Sequence, residues 1–392
     1  MHKSPANRLL AILGPAVMAA LPAHANDGLM FSGYSAVTLG MAGAGSASPS
    51  DSQIGAVNPA GFAFLEDRVD ITGAVLAVDI NSTVLGLPYS DDPLVPAVLP
   101  SFSMGLNERL TFGISTYGVG VMLDYGQPIP PAPGVTNASA TLFQAVVAPS
   151  LSYRINENHA VGASILLAGQ YFDLTGLQAY GVTDPGEATS FGVGFSLGYM
   201  GEIMPGVRVA ASYFSQINMG HLDGYEGHLA NQTDVDLPER VIVGLAVDAT
   251  PNLTLMADYH WINWADIPAV GNHFPGSFVL GAPDGPGTGW GEQGIVKLGV
   301  EYRHSDEWTF RAGFSQSNQL WESADNALNY FTPVTPETHI AIGATYRVSD
   351  NREWSFAFNR AIGRGQVGTG LSTGTNLDTQ IDTFAVTYGW TF

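Results

Sequence analysis

Cysteine is absent from the 392 residues, so the fold forms without disulfides and no thiol chemistry is available. Basic residues are scarce: 14 Lys and Arg stand against 35 Asp and Glu, for a formal net charge of −21. That balance disfavours a nucleic-acid partner, which needs a cationic face. Long apolar runs are missing as well. Beyond the first 25 residues nothing approaches the ~20 apolar residues of a membrane-crossing helix, so a membrane protein of this composition must cross with strands. Catalytic signatures are also lacking. No Gly-x-Ser-x-Gly elbow or His-Glu-x-x-His helix occurs, and glycine-rich Gly192 to Gly198 lies within a strand with no phosphate-binding helix after it. His221, Asp223, Glu226 and His228 share one loop; they read as a solvated cluster, with a metal site as the alternative. No cofactor and no resident metal are expected.

At the amino terminus, His2, Lys3 and Arg8 precede an apolar stretch from Leu9 to Leu21 and the small-x-small site Ala23-His24-Ala25. This is the layout of a secretory signal over residues 1–25, which leaves a mature chain starting at Asn26. Residues 26–66 are rich in Gly, Ala and Ser with little alternation. They read as a compact segment of turns and short helices, or equally as a flexible lead-in.

From Arg68 onward the chain keeps one rhythm: strand, tight turn, strand, long loop. Tight turns fall at Asn107-Glu108, Asn156 to Asn158, Pro205-Gly206, Pro251-Asn252, Ser305-Asp306 and Ser349 to Asn351. Longer stretches at 87–96, 126–137, 222–236 and 272–289 lie between them. About fourteen strands result, an all-β pattern with short turns on one rim and long loops on the other, as in a transmembrane antiparallel barrel over residues 67–392. The last ten residues state it most plainly. Phe384, Val386, Tyr388, Trp390 and Phe392 take one face and Ala385, Thr387, Gly389 and Thr391 the other, greasy toward lipid and small toward the lumen. The seven tryptophans, at 261, 264, 290, 308, 321, 354 and 390, fall near strand ends, where interface girdles would put them.

The same phase assigns an inward face. Met256, His260 and Ile262 point into the lumen on one strand, Lys297 and Glu301 on another, and Arg311, His339 and Arg347 on neighbours. Lys297 is the sole lysine after the signal; it reads as part of a lumenal charge network or, alternatively, as a ligand hook. Phe172, Phe214, Met256 and Ile262 would be odd in a water-filled porin and suit a lumen that passes hydrophobic molecules.

Three stretches carry a family resemblance. They are Gly40-Met41-Ala42-Gly43-Ala44-Gly45 followed by Asn58-Pro59-Ala60, Leu237-Pro238-Glu239-Arg240 leading into Leu253 to Trp264, and Glu307-Trp308-Thr309-Phe310-Arg311-Ala312-Gly313. Over essentially the whole mature chain the sequence resembles the FadL/TodX family of outer-membrane transporters for long-chain fatty acids and other hydrophobic compounds. The resemblance implies a fourteen-stranded barrel plugged by an amino-terminal hatch (26–66, with Gly43, Gly45, Asn58, Pro59 and Ala60 as its signature). It also implies passive uptake of a hydrophobic small molecule, a hatch shift, and lateral exit through a kink in the wall, placed here on the glycine-broken third strand at Gly113, Gly118 and Gly120. Phe172, Phe214, Met256, His260, Ile262, Lys297 and Arg311 are the candidate lumen lining. Fatty-acid members hold the carboxylate with basic side chains, but the stretches aligned with them here, Gln170 to Asp173 and Gly289 to Glu292, contain none, which favours a neutral or aromatic solute. The surroundings expected are outer-membrane lipid and lipopolysaccharide, and, because a closed barrel has no edge to pair, a monomer. An outer-membrane lipase or protease, or an adhesin on a structural barrel, are the alternatives.

Overall fold

The computed structural model describes residues 27–178 and 181–392; the stretch expected as a signal, and Asn26, lie outside them. Fourteen long strands form one antiparallel sheet that closes on itself. They are β1 (Arg68–Val84), β2 (Leu94–Gly105), β3 (Leu110–Asp124), β4 (Ser139–Arg154), β5 (His159–Thr175), β6 (Ala188–Met204) and β7 (Val207–Phe214), then β8 (Arg240–Thr250), β9 (Leu253–Asn263), β10 (Glu292–Arg303), β11 (Trp308–Ser317), β12 (Pro336–Ser349), β13 (Arg352–Gly363) and β14 (Asn376–Thr391). Closure comes from β1 against β14, in register from Arg68↔Thr391 to Thr83↔Asn376. Each expected tight turn joins consecutive strands on one rim.

Alternation builds the wall. On β14, Phe384, Val386 and Trp390 are exposed outward while Ala385 and Thr387 are buried, the polarity expected of strands between lipid and a filled lumen. Trp308, Trp354 and Trp390 lie outward near the short-turn rim, with Trp308 beside Tyr346 and Trp354 beside Tyr388 at 4.8 Å between ring centroids. Trp264, Trp290 and Trp321 depart from the girdle expectation. They are buried and packed together, at 5.2 and 6.0 Å between centroids, where the long loops fold back over the mouth. Each indole N–H finds an acceptor there: Gln293 for Trp264, Asn329 for Trp290 and Asn326 for Trp321. A second difference concerns residues 87–96, expected as loop. Leu87–Asp91 folds back on β1 as a short strand and β2 already begins at Leu94, because the turn at Leu85-Gly86, both at positive φ, reverses the chain at once.

Inside the barrel lie residues 27–66. They form a helical turn, Ala36–Leu39, closed by a reciprocal Ser35–Thr38 capping box, and two 3-10 turns, Ser52–Ala56 and Pro59–Phe64. Asp51 caps the first of these through Gln53 N–H, and Asn58 caps the second through Ala60 N–H. Nearly every residue from 27 to 63 is buried.

Candidate solute passage

Lys297, Arg240 and Arg311 are buried cations of the wall, and the first two bond to the internal segment. Lys297 Nζ on β10 sits 2.6 Å from Asp27 Oδ2 and donates to the Ser32 carbonyl at 2.8 Å. Lys297 is therefore paired, and its partner comes from the start of the chain and not from the neighbouring acids Glu292 and Glu301. Its row across the barrel, Asp258, Lys297, Ser315 and His339 on β9 to β12, forms a polar seat. There Asp258 accepts from Gly45 N–H and Ser46 N–H at 3.0 and 2.8 Å. Gly43 must be glycine at this seat, since its φ is +85° and a Cβ would run into the Ser32 carbonyl.

Arg240, which the sequence reading left without a role, is the second cation. Its guanidinium lies 4.0 Å from the Phe214 ring centroid and 5.0 Å from that of Tyr117, and it donates to the Ala56 carbonyl at 2.8 Å and to Tyr34 Oη at 3.3 Å. Arg311, the third, is held by Glu301 at 2.8 Å and Thr345 at 2.6 Å. Asn58 and Pro59 dock on the opposite side. Asn58 Nδ2 donates to the Tyr199 carbonyl at 3.1 Å, Ser152 Oγ donates to the Pro59 carbonyl, and Asn58 itself lies against Gly198, where a Cβ would collide with its Oδ1.

The ladder between β2 and β3 is cut short. β2 pairs with β1 along ten positions, Arg68↔Ser103 to Ala77↔Leu94. It pairs with β3 only from Gly105↔Thr111 to Phe102↔Ile114. Proline explains the asymmetry. The Pro100 carbonyl accepts from Thr116 Oγ1 on β3 at 2.7 Å, so in strand geometry its nitrogen faces β3 too, and the nitrogen carries no hydrogen to continue the ladder. Pro96, four residues away, repeats that orientation. Past the break β3 leans to the lumen, where Val119 bridges to Met30 and Gly120 N–H donates to the Leu29 carbonyl at 3.2 Å. Gly118 and Gly120 lie beyond the break. Gly113 does not: it is in register with Ser103, and it is glycine because the Phe62 ring occupies the space a Cβ would need.

A cavity of about 430 Å³ passes through this break. Its lining includes inward residues such as Leu99, Tyr117 and Val119 and outward ones such as Val98, Met122 and Phe143, so it is continuous from lumen to lipid-facing surface. No Arg, Lys, Asp or Glu lines it. Toward the loops, sharing Leu29 and Val121, lies a smaller apolar cavity of about 70 Å³ bounded by Phe172, Leu229, Val270, Trp290 and Phe331. Phe172 stands edge-on to Tyr225 at 4.8 Å; burial pushes the Tyr225 phenol up to about 12, so it stays a neutral hydroxyl. Phe214, Met256, His260, Ile262, Lys297 and Arg311 line neither cavity. At the short-turn rim the lumen is polar instead, a chamber of about 390 Å³ ringed by Arg68, Arg208, Arg303, Arg347, Asp248 and Glu353, among others.

Over the mouth, His221 and His273 pair with Asp234 at 2.7 Å and Asp325 at 2.9 Å. Hydrogen bonding to those carboxylates, reinforced by their charge, raises both imidazoles above their ordinary value. His228 turns to the Thr183 carbonyl, and no group of three or more metal-ligating side chains gathers among the described residues.

A family model described as outer membrane protein transport protein (OMPP1/FadL/TodX) matches residues 16–392. Among solved structures, the chain is similar to a Pseudomonas aeruginosa FadL homologue (16% identity over 93% of this chain and 100% of that one, TM-score 0.72). It is also similar to the P. putida toluene transporter TodX (16%, 92% and 99%, 0.72) and the Ralstonia pickettii toluene transporter TbuX (18%, 92% and 99%, 0.69). At such identities the likeness is one of fold. No curated protein matches significantly.

Proposed function

The chain belongs to the OMPP1/FadL/TodX family of outer-membrane transport proteins, and from that premise we propose that it is a passive channel for neutral hydrophobic small molecules. Residues 27–66 act as the hatch, the loop-side apolar cavity receives the solute, and the break between β2 and β3 releases it sideways into the bilayer. The protein works as a monomer amid outer-membrane lipid and lipopolysaccharide, and no chemical step is involved.

One observation carries this reading: the apolar cavity leads through the wall, whereas the lumen below the hatch is ringed by charge. A greasy solute gains by entering hydrocarbon and loses by entering that chamber. Solute charge follows from the same lining. An ionised carboxylate stripped of water costs several kcal/mol unless a cation meets it, and the buried cations are committed elsewhere: Lys297 to Asp27, Arg240 to Ala56 and two rings, and Arg311, which faces the charged chamber, to Glu301. Neutral aromatic hydrocarbons, the class to which the toluene named for TodX and TbuX belongs, and neutral esters therefore fit better than fatty-acid anions.

Competitive uptake in a host lacking its own transporter tests the proposal, with an aromatic hydrocarbon, a fatty acid and its methyl ester compared across pH. Faster uptake of the hydrocarbon and ester than of the ionised acid is expected. Preference for the ionised acid would return the chain to the fatty-acid branch, and no uptake of any of them would remove the channel reading.

A further inference from the structure

The break in the wall is spanned by one hatch side chain. Gln53 is buried, and its backbone is fixed by the Asp51 cap. Its Nε2 donates to the Leu99 carbonyl on β2 at 3.1 Å, and its Oε1 accepts from Thr116 N–H on β3 at 3.3 Å. Only one orientation of the amide satisfies both partners, because one is an obligate acceptor and the other an obligate donor. Glutamate would lack the donor and methionine would lack both groups at the same reach. The residue before it, Ser52, is bonded to the wall on each side as well, through Asp70 and Ser101 and through Ser115.

These contacts answer where the backbone groups at the break find partners. Pro100 cannot donate, Thr116 N–H has lost its cross-strand acceptor, and both lie beside an apolar passage where water is a poor substitute. We propose that Gln53 is the positioning residue that joins the hatch to the lateral exit, its amide holding β2 and β3 at a set width while it keeps the hatch seated in the resting state. Displacing the hatch withdraws the amide and leaves the Thr116 hydroxyl on the Pro100 carbonyl as the direct bond across the break, so movement of the plug loosens the exit in the same event. This rests on the lateral-exit reading above.

The test compares Gln53→Ala with Gln53→Met, which keeps the packing and removes both hydrogen bonds. Spin labels on Val98→Cys and Met122→Cys, either side of the break in a chain without native cysteine, report the width directly, and uptake of toluene is measured in otherwise unlabelled chains. Both variants should broaden the inter-label distance distribution and raise uptake roughly two- to tenfold, the worth of one net hydrogen bond or so. Entry of a small hydrophilic dye should stay at the wild-type level, since Lys297, Arg240 and Asn58 still hold the hatch. A Gln53→Met protein indistinguishable from wild type in width and uptake would overturn the proposal and leave Gln53 a packing residue. If the wild type takes up no toluene, the channel reading fails, whereas the distance distributions still decide whether Gln53 sets the width.

Discussion

Replacing Lys297 with methionine separates a structural cation from a ligand hook. The ammonium is fully buried, 2.6 Å from an Asp27 carboxylate that is itself almost fully buried. Breaking such a buried pair by removing one member costs about 3–5 kcal/mol. The pair links positions 270 apart in sequence, hatch to β10, and the barrel ladder does not depend on it, so the cost falls on seating of the hatch. The equilibrium for hatch release should shift by roughly two to three and a half orders of magnitude, as 1.4 kcal/mol corresponds to about tenfold. Dye entry into liposomes carrying Lys297→Met, followed against urea, reads that shift. The double variant Lys297→Met/Asp27→Leu removes both members of the pair and should recover most of the loss. Uptake of neutral and ionised solutes should change in parallel. Loss of fatty-acid uptake alone, with dye entry unchanged, would refute the reasoning, and so would a double variant as leaky as the single one.

Three further outcomes follow from the same geometry. Pro100→Val returns an N–H facing β3 at the break, worth about 1 kcal/mol as a ladder bond; uptake of a neutral aromatic should fall several-fold and the new amide at position 100 should be protected from exchange, and unchanged uptake with an unprotected amide would show that proline does not set the break. Asn58→Ala with Pro59→Ala removes a cap worth about 0.5–2 kcal/mol and the Tyr199 tether, so small-dye leakage should rise in a normally assembled barrel; leakage equal to wild type would argue against residues 27–66 as a plug. The pairing of His273 with Asp325 raises the imidazole, so its contribution to loop order is complete below about pH 6.5 and is lost as pH climbs through the raised folded value. Hydrogen exchange around 272–274 should accelerate over that rise in wild type but not in His273→Gln, and pH-independent exchange in wild type would contradict it.

How much of this was legible in the chain depends on the range of the interaction. Strand polarity is written locally, two residues at a time, so Phe384 to Phe392 announced a lipid-facing wall, and the tight turns announced their rim. The inward phase of Lys297 and Arg311 was readable for the same reason, but their purpose was not. Asp27 meets Lys297 only once the chain has threaded its own barrel, and no local pattern encodes a contact across 270 positions. The break was half legible. The ladder between β2 and β3 stops beside the glycines of β3, yet Gly113 serves Phe62, and the interruption follows from proline at Pro96 and Pro100, whose effect depends on which neighbour each nitrogen faces. Tryptophans near strand ends could not reveal which would be folded inward under the loops, because loops of 12 to 28 residues carry no periodicity.

An exit in the side of the wall changes the kind of space into which cargo is delivered. A solute leaving through the base would disperse in three dimensions in water. One leaving between β2 and β3 joins a thin sheet of oil and diffuses in two, still dissolved in the phase it prefers. On the passive reading proposed above, the barrel only shortens the path to equilibrium between the medium and that oil. Net flow is then set downstream, by how quickly the cell draws the compound out of the membrane.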